Sequence, residues 1–303
     1  MVLVSNSAGL LTLVGDPATF IVGDAINISF LEYLMRLSLG GAIALLTILV
    51  MMPILFRRIW RTELTNLDQL PHPEINHPRV LAVGTIIVAL VLLFFVIGES
   101  LPVPVSPAGV ALMGAALALL LAHHSKIDTL NNILKDVDWS TLIFFMSIFV
   151  LIGGLQKTGV IAGISGILAA ILGQNIFWGS ILLLFLVGLL SSVVPNIPLV
   201  VAMVPLIKQY LVNVGMVGAE VMEPDYAGQF PPEVLPLFYA MMFGATLGGN
   251  GTLAGASANI VAAGISEQHG RRISFKRFFH YGFPVMVAQL ITSALFVTVR
   301  FLL

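Results

Sequence analysis

Five stretches of about 20 apolar residues set the strongest limit on how this chain can fold, because each is long enough to cross a lipid bilayer as a helix. They cover residues 31–55, 80–97, 105–122, 139–155 and 281–303. Of the 303 residues, 58% are hydrophobic and only 10% are charged, and the mean hydropathy is +1.02. This composition excludes an ordinary water-facing domain. The sequence therefore predicts an all-α polytopic membrane protein.

Three further apolar segments, residues 2–22, 176–212 and 234–265, are interrupted by Gly, Pro, Asn, Ser or Thr. Irregular backbone is tolerated within a bilayer only where it is packed in protein or lines an aqueous cavity, because unpaired N–H and C=O groups are costly in hydrocarbon. The clearest interruption is GGNGTLAGASAN at residues 248–259. We predict discontinuous helices at 2–22 and 234–265, and a re-entrant hairpin at 176–212 whose turn lies at residues 195–198. Such breaks are typical of solute sites in secondary transporters.

Basic residues indicate how the predicted spans are oriented, because Lys and Arg are enriched in cytoplasmic loops. Ten of the 14 lie in three connections: Arg57, Arg58, Arg61, Arg79, Lys126, Lys135, Arg271, Arg272, Lys276 and Arg277. Placing these connections in the cytoplasm leaves the acidic connection outside: Glu220, Glu223, Asp225 and Glu233. The C-terminal Leu303 is then outside as well.

A seven-residue pattern recurs in the two predicted broken helices. Residues 9–15 read GLLTLVG and residues 249–255 read GNGTLAG, so both follow G-x-x-T-L-x-G. A weak internal repeat of interrupted helices is the sequence mark of an inverted-repeat transporter. We therefore expect two repeats, each with one discontinuous helix.

At these residues the chain resembles the ion transporter superfamily, and specifically its ArsB/NhaD permease branch, which includes the melanosomal P protein and citrate-transporter-like domains. The family pattern G-G-N-G-T-x-x-G-A-S-A-N is matched throughout at residues 248–259, and a related S-N pattern begins at Ser5. The resemblance covers all 303 residues. It implies a scaffold that forms a homodimer and a mobile transport part built from hairpins and broken helices.

Two departures from the family pattern bear on function. Pro195 stands where the hairpin of this branch often has Asp, which removes an obvious carrier for H⁺ or Na⁺. The inner hairpin and the helices before it, roughly the first third of the family pattern, have no counterpart here. We therefore interpret the chain as a C-terminal fragment, a truncated gene product or one part of a split transporter, with a separate chain supplying the N-terminal helices.

The domain organisation follows from these segments. Residues 1–56 are expected to be the C-terminal part of a first repeat, comprising the broken helix and the span at 31–55. Residues 57–79 form a cytoplasmic connection. Residues 80–174 are scaffold spans of the second repeat, ending in a short interfacial helix at 160–172. Residues 175–303 are its transport part, with the hairpin, the second broken helix and the last span.

The candidate site is neutral and polar. A helix that restarts inside a membrane directs free N–H groups towards an anion, and a helix that stops there directs carbonyl groups towards a cation such as Na⁺. Amide and hydroxyl side chains at the breaks can replace the water shell of an ion. The predicted substrate- or ion-binding residues are Ser5, Asn6, Thr12, Asp16, Ser191, Ser192, Asn196, Gly249, Asn250, Gly251, Thr252, Ser257 and Asn259.

Asp16 has two interpretations of equal weight. An acidic residue in a membrane segment suggests a functional role. In the sequence Gly15-Asp16-Pro17 the same residue could instead cap the helix that follows.

Other classes of function are disfavoured by the sequence. The chain has no cysteine, its six histidines fall in connections or at span ends, and it carries no paired carboxylates, Ser/Lys dyad or phosphate-binding motif. We expect no cofactor, no resident metal apart from Na⁺ at backbone carbonyls, no nucleic-acid partner and no enzymatic activity.

The expected function is secondary active transport of a small inorganic or organic ion, with arsenite or another anion favoured, across a prokaryotic inner membrane. Two alternatives stay open: a Na⁺/H⁺ antiporter, and a non-transporting subunit of a split transporter.

Overall fold

A computed structural model describes residues 1–57, 61, 77–127, 129–223 and 226–302. These residues form helices and no strands, which confirms the all-α expectation. The helices are α1 Val2–Ala8, α2 Pro17–Ala25, α3 Phe30–Arg36, α4 Ser38–Leu55, α5 Pro78–Ile97, α6 Pro107–His124, α7 Leu130–Lys135, α8 Trp139–Lys157, α9 Val160–Leu172, α10 Ile176–Ser191, α11 Asn196–Asn213, α12 Leu235–Gly248, α13 Ser257–Gln268 and α14 Phe275–Val297.

Within the described residues, six helices are long and apolar enough to cross a membrane: α4, α5, α6, α8, α11 and α14. Five of them coincide with the predicted spans. The first prediction was too long, because residues 31–36 belong to the separate helix α3 and the span begins at Ser38. Helices α2 and α3 are bent by 106° relative to each other. The chain therefore turns sharply before it enters α4.

Some predictions fall on residues that the structure does not describe. Most of the connection 57–79 lies outside the described residues, and so do Asp225 and Leu303.

Both predicted helix interruptions are present. Helix α1 continues into a short 3₁₀ turn and ends at Leu11, and α2 begins at Pro17. Helix α12 ends at Gly248, and α13 begins at Ser257. The third break is a few residues earlier than predicted, because α11 already starts at Asn196 directly after Pro195. Proline is well tolerated around a helix start, where backbone N–H groups lack intrahelical partners.

The described chain divides into two compact units. The first contains Met1–Ile28, Glu32–Arg57 and Phe144–Leu303, and the second contains Ser29–Leu31 and Arg58–Ile143. In the second unit, α5 and α6 pack together. The first unit holds every residue of the predicted site. Its centre is α12, which is buried from Pro236 to Gly248 and packs against α10, α11 and α14.

Small residues allow α10 and α12 to pack closely. Gly244 and Gly248 are four residues apart on α12, and both face the backbone of α10. A side-chain carbon at Gly244 would lie 2.6 Å from the carbonyl oxygen of Leu184. This is the small-xxx-small packing that membrane helices use to bring their backbones together.

Candidate functional site

The two helix breaks have the same local geometry, as the repeated sequence pattern suggested. In the first, Gly15 N–H donates to the carbonyl of Thr12 at 3.1 Å; in the second, Gly255 N–H donates to the carbonyl of Thr252 at 3.2 Å. The glycines that open and close each loop are in close contact, leaving no room for a side chain at Gly15 or Gly255. The chain then enters the next helix through an extended residue, Asp16 or Ala256.

This equivalence extends to the contacts between the two breaks. Counting from the motif, Asn6 corresponds to Thr246, and Thr19 corresponds to Asn259. Asn6 Nδ2 donates to Asn259 Oδ1 at 3.0 Å, and the hydroxyls of Thr246 and Thr19 lie 3.3 Å apart. The same pair of positions therefore meets twice, once as two amides and once as two hydroxyls.

The amide pair belongs to a larger neutral cluster. Asn6 Nδ2 also donates to Asn250 Oδ1 at 3.1 Å. The side chains of Asn250 and Asn259 are fully or almost fully buried, at 0% and 1% exposure. Gln289 of α14, also fully buried, accepts from Asn250 Nδ2 at 2.8 Å and donates to Ser7 Oγ at 2.7 Å. One long helix is thereby hydrogen-bonded to both broken helices.

Hydrogen bonding fixes the orientation of the two buried asparagines. Asn250 Nδ2 donates to Ser7 Oγ and to Gln289 Oε1. Asn259 Nδ2 donates to the carbonyls of Gly249 and Thr252 at 2.8 and 2.9 Å. Because a carbonyl accepts but cannot donate, an inverted Asn259 amide would face two acceptors with its oxygen. Two amide oxygens therefore point at Asn6.

The hydroxyl pair adjoins a carboxylate. Thr246 Oγ1 donates to Asp16 Oδ2 at 2.8 Å, and Asn196 Nδ2 donates to Asp16 Oδ2 at 3.1 Å. Asp16 is the N-cap residue of α2 by position, yet its carboxylate is turned towards α11 and α12. Its counterpart in the other break is Ala256, so only one of the two halves carries an acid.

Three helices begin beside these clusters. Helix α2 starts next to Asp16, α11 starts at Asn196, and α13 starts at Ser257. The first four N–H groups of a helix lack intrahelical partners and carry a partial positive charge. The site thus combines positive helix ends, neutral amides and one carboxylate.

The two predicted hairpin serines do not point their hydroxyls into the clusters. Ser191 Oγ donates to the carbonyl of Ala245 at 2.6 Å and ties α10 to α12. Ser192 Oγ donates to the carbonyl of Leu189 in α10 at 2.7 Å. The carbonyl of Ser192 accepts from Thr252 Oγ1. These residues hold the wall of the site in place.

The structure brings most of the predicted residues together. Asn6, Asn250, Thr252 and Asn259 are joined by hydrogen bonds in one cluster, Asp16 and Asn196 are joined in the other, and Gly249 and Gly251 are buried in the second break. Thr12 is half-buried in the first break. Ser5 and Ser257 are exposed and take no part in the described network.

Four buried polar residues of the network were missed by sequence reasoning: Ser7, Thr19, Thr246 and Gln289. The sequence gives only a weak indication of these four positions. Thr19 and Thr246 are single threonines in helices, and Ser7 is one of three consecutive polar residues at 5–7. An amide within an apolar span, as at Gln289, suggests a polar partner by itself.

The described residues contain no group of three or more His, Asp or Glu side chains that could hold a metal ion. Ligands for a cation would therefore come from neutral oxygens and the single Asp16 carboxylate.

Comparison of the sequence with known proteins assigns the chain to a family. A sequence model described as "Citrate transporter" (CitMHS) matches residues 1–225. The chain belongs to the citrate transporter family. The resemblance to the citrate-transporter-like and P protein branch is thereby confirmed, and the chain is an integral membrane protein of a transporter family.

Curated relatives agree with this assignment. The "Uncharacterized transporter slr0753" of Synechocystis sp. is 71% identical over 297 residues, covering 98% of this chain and 66% of the relative. The "Uncharacterized transporter Mb2703" of Mycobacterium bovis is 30% identical over 302 residues, covering 99% and 66%. The human P protein is 34% identical over 236 residues, covering 76% and 26%. The chain thus spans just under two thirds of the first two relatives. The Synechocystis and Mycobacterium bovis relatives are named as transporters and not as enzymes.

Proposed function

We propose that this chain contributes the solute site of a secondary transporter that moves a small organic or inorganic anion by alternating access. The observation that carries the proposal is the junction of the two breaks, where Asn6 contacts Asn250 and Asn259 while Thr246 contacts Asp16. Unwound backbone inside a membrane protein is tolerated only where it is packed in protein or lines an aqueous cavity, and polar side chains at that depth commonly mark a solute or ion pathway.

An anion suits the electrostatics of this junction. Three helix N-termini begin there, and backbone N–H groups at a helix start bind carboxylate and phosphate groups well. The family description names citrate, a carboxylate, so a small carboxylate is the first solute to test. Arsenite or another small anion is the second.

Asp16 supplies a group for coupling to a cation. The sequence lacks a carboxylate in the hairpin, where Pro195 stands, but Asp16 of the first broken helix lies against the start of α11 at Asn196. We infer that this carboxylate binds the coupling H⁺ or Na⁺. The same observation favours Na⁺/H⁺ antiport as the second candidate function.

The remaining proposals concern setting. We place the protein in a prokaryotic inner membrane with the basic connections in the cytoplasm and the C-terminus outside. We further propose that it works as a homodimer or together with a chain that supplies the N-terminal helices. A non-transporting role as one subunit of a split transporter remains an alternative.

Flux in proteoliposomes tests the function. The chain is reconstituted alone and together with the unmatched third of the Synechocystis relative, and uptake of citrate, arsenite and Na⁺ is measured beside a pH-sensitive dye. We expect Asn250→Ala and Asn196→Ala to lower uptake at least tenfold. The matched control is Asn213→Ala, whose amide instead donates to Ser165 Oγ at 2.9 Å and lies outside the site. Its uptake should stay at the wild-type level.

Two measurements separate the candidate functions: the cation dependence of citrate uptake in Asp16→Asn, and the response of the dye to Na⁺ alone. If the protein is a coupled anion transporter, Asp16→Asn abolishes the dependence of citrate uptake on the cation gradient. If it is an antiporter, the dye responds to Na⁺ in the absence of any anion. Unchanged flux in both Asn250→Ala and Asn196→Ala would contradict the site assignment.

A further inference from the structure

A second polar cavity lies away from the candidate site, at the opposite ends of the same helices. It has a volume of about 70 Å³ and lies among the residues that follow α2, helix α3, the loop before α12 and the first turns of α12. Its polar lining includes Asn27, Glu32, Arg36 and Tyr239. Neither the predicted site nor the transport proposal uses this cavity.

Tyr239 gives the cavity an unsatisfied hydrogen-bonding group. Its side chain is only 1% exposed, and its hydroxyl has no acceptor within the described part of the chain, although the Arg36 guanidinium lies close enough to donate to it. A buried hydroxyl without a partner costs free energy that a bound ligand or water would recover. The cavity therefore presents a donor that lacks an acceptor.

Arg36 places a positive charge at the same cavity. Its Nε forms an ion pair with Glu32 Oε1 at 3.0 Å. A guanidinium carries four further N–H groups on its two Nη atoms, which form a planar fork that fits two carboxylate oxygens. The ion pair of Nε with Glu32 thus orients the guanidinium at the cavity.

The loop over the cavity is held in a defined position. Asn27 adopts a left-handed conformation with φ of 54° and donates from Nδ2 to the carbonyls of Tyr226 and Gly228, at 3.1 and 2.9 Å. Asparagine tolerates this conformation better than most residues do. Phe230 of the same loop lines the cavity, and the Lys208 ammonium lies 5.6 Å from its ring centroid. A second cation therefore stands next to the cavity wall.

We propose that this cavity binds one carboxylate group of a small solute, held by the Arg36 guanidinium and the Tyr239 hydroxyl. The volume admits a carboxylate but is far below the roughly 300–1,000 Å³ that encloses a whole drug-sized ligand, so the rest of the solute stays outside. Tyr239 lies seven residues before Thr246 on α12, which corresponds to about 10 Å along a helix. A carboxylate held here lies about two helical turns, half the length of α12, from Thr246 of the candidate site, as an entry position would require.

Binding to the purified full chain in detergent tests this proposal without any need for transport, so it can fail independently of the proposed function. Calorimetry measures the affinity for citrate, and thermal unfolding is followed with citrate, acetate or chloride. The measurements are repeated in an Asn250→Ala background to remove binding at the candidate site. We expect Tyr239→Phe and Arg36→Gln each to weaken citrate binding by roughly tenfold or more, as for a lost hydrogen bond to a charged group.

Two control variants match these changes. Tyr210→Phe removes a hydroxyl that already donates to the Gly173 carbonyl at 2.8 Å, and Arg272→Gln removes an arginine that pairs with Glu267 at 3.7 Å. Both should bind citrate with wild-type affinity.

Unfolding provides a second, independent readout. In the absence of a carboxylate ligand, Tyr239→Phe should be at least as stable as the wild type, because it removes a buried O–H donor that has no acceptor. With citrate or acetate, the melting temperature should rise for the wild type and not for Tyr239→Phe. The proposal is overturned if both cavity variants bind citrate as the wild type does. It is overturned equally if chloride stabilises the protein as much as the carboxylates do.

Discussion

At the scale of single residues, Gln289 shows how one side chain can hold several segments. Its amide bonds to Asn250 and Ser7, and its Nε2 also donates to the Ala44 carbonyl at 2.9 Å. Helices α1, α4 and α14 and the second break thus meet at one group. Because Asn250 Nδ2 donates to it, Gln289 also helps to fix which face of that amide points at Asn6.

Gln289→Leu should lower the free energy of unfolding by about 1–2 kcal/mol, the range of interhelical hydrogen bonds in membrane proteins when buried partners are left unpaired. Four residues further along the same helix, Ser293 is buried and its hydroxyl has no partner among the described residues. Ser293→Ala should therefore be neutral or slightly stabilising. Both are measured by thermal or detergent-induced unfolding. Equal destabilisation by the two variants would show that packing, not the amide network, sets the stability here.

Individual residues also mark the limit of sequence reasoning. The motif residues Asn6, Asn250 and Asn259 could be predicted because glycines and polar residues cluster in apolar segments. Thr19 and Thr246 could not, because a single threonine in a helix commonly bonds to its own backbone. Their pairing is a contact between residues 227 positions apart in sequence, which the sequence alone does not indicate.

At the scale of elements, α10 and α12 pack closely against each other. Gly244 and Gly248 allow the two backbones to approach, and Ser191 of α10 donates to the Ala245 carbonyl between them. This contact fixes where α12 ends, and therefore where the second break lies. The sequence indicated the break but not its partner, because a small-xxx-small pattern does not specify which helix it faces.

Gly244→Ala should destabilise the protein by about 1–3 kcal/mol, the usual cost of forcing extra atoms into a packed contact. The control is Gly154→Ala in α8, where a side-chain carbon would meet nothing within 4 Å. Because alanine has the higher helix propensity, that variant should be neutral or stabilising. Unfolding curves for the two proteins give the comparison. If Gly244→Ala is as stable as Gly154→Ala, the close approach of α10 and α12 is not what holds them together.

At the scale of the whole molecule, the sequence predicted the membrane class, the two interrupted helices and the family. It predicted less well where α4 begins, because only Leu37 separates α3 from α4 and a single intervening residue does not disturb the helical periodicity. Because Pro195 stands where the family often has Asp, the sequence also indicated that the hairpin lacks a carboxylate. The fold brings the Asp16 carboxylate against Asn196, the residue after Pro195, from a segment 180 residues away in sequence, and such long-range pairings leave no local pattern.

The central claim is that a solute binds where the two unwound segments meet. Because the chain has no cysteine, it can be tested by the rate of alkylation of a single cysteine at Ser257→Cys, the exposed first residue of α13, with Ala262→Cys in the same helix as control. The account predicts that citrate slows alkylation at residue 257 at least threefold and leaves residue 262 unaffected. The claim would be contradicted if citrate and every other transported solute left the alkylation rate at residue 257 unchanged.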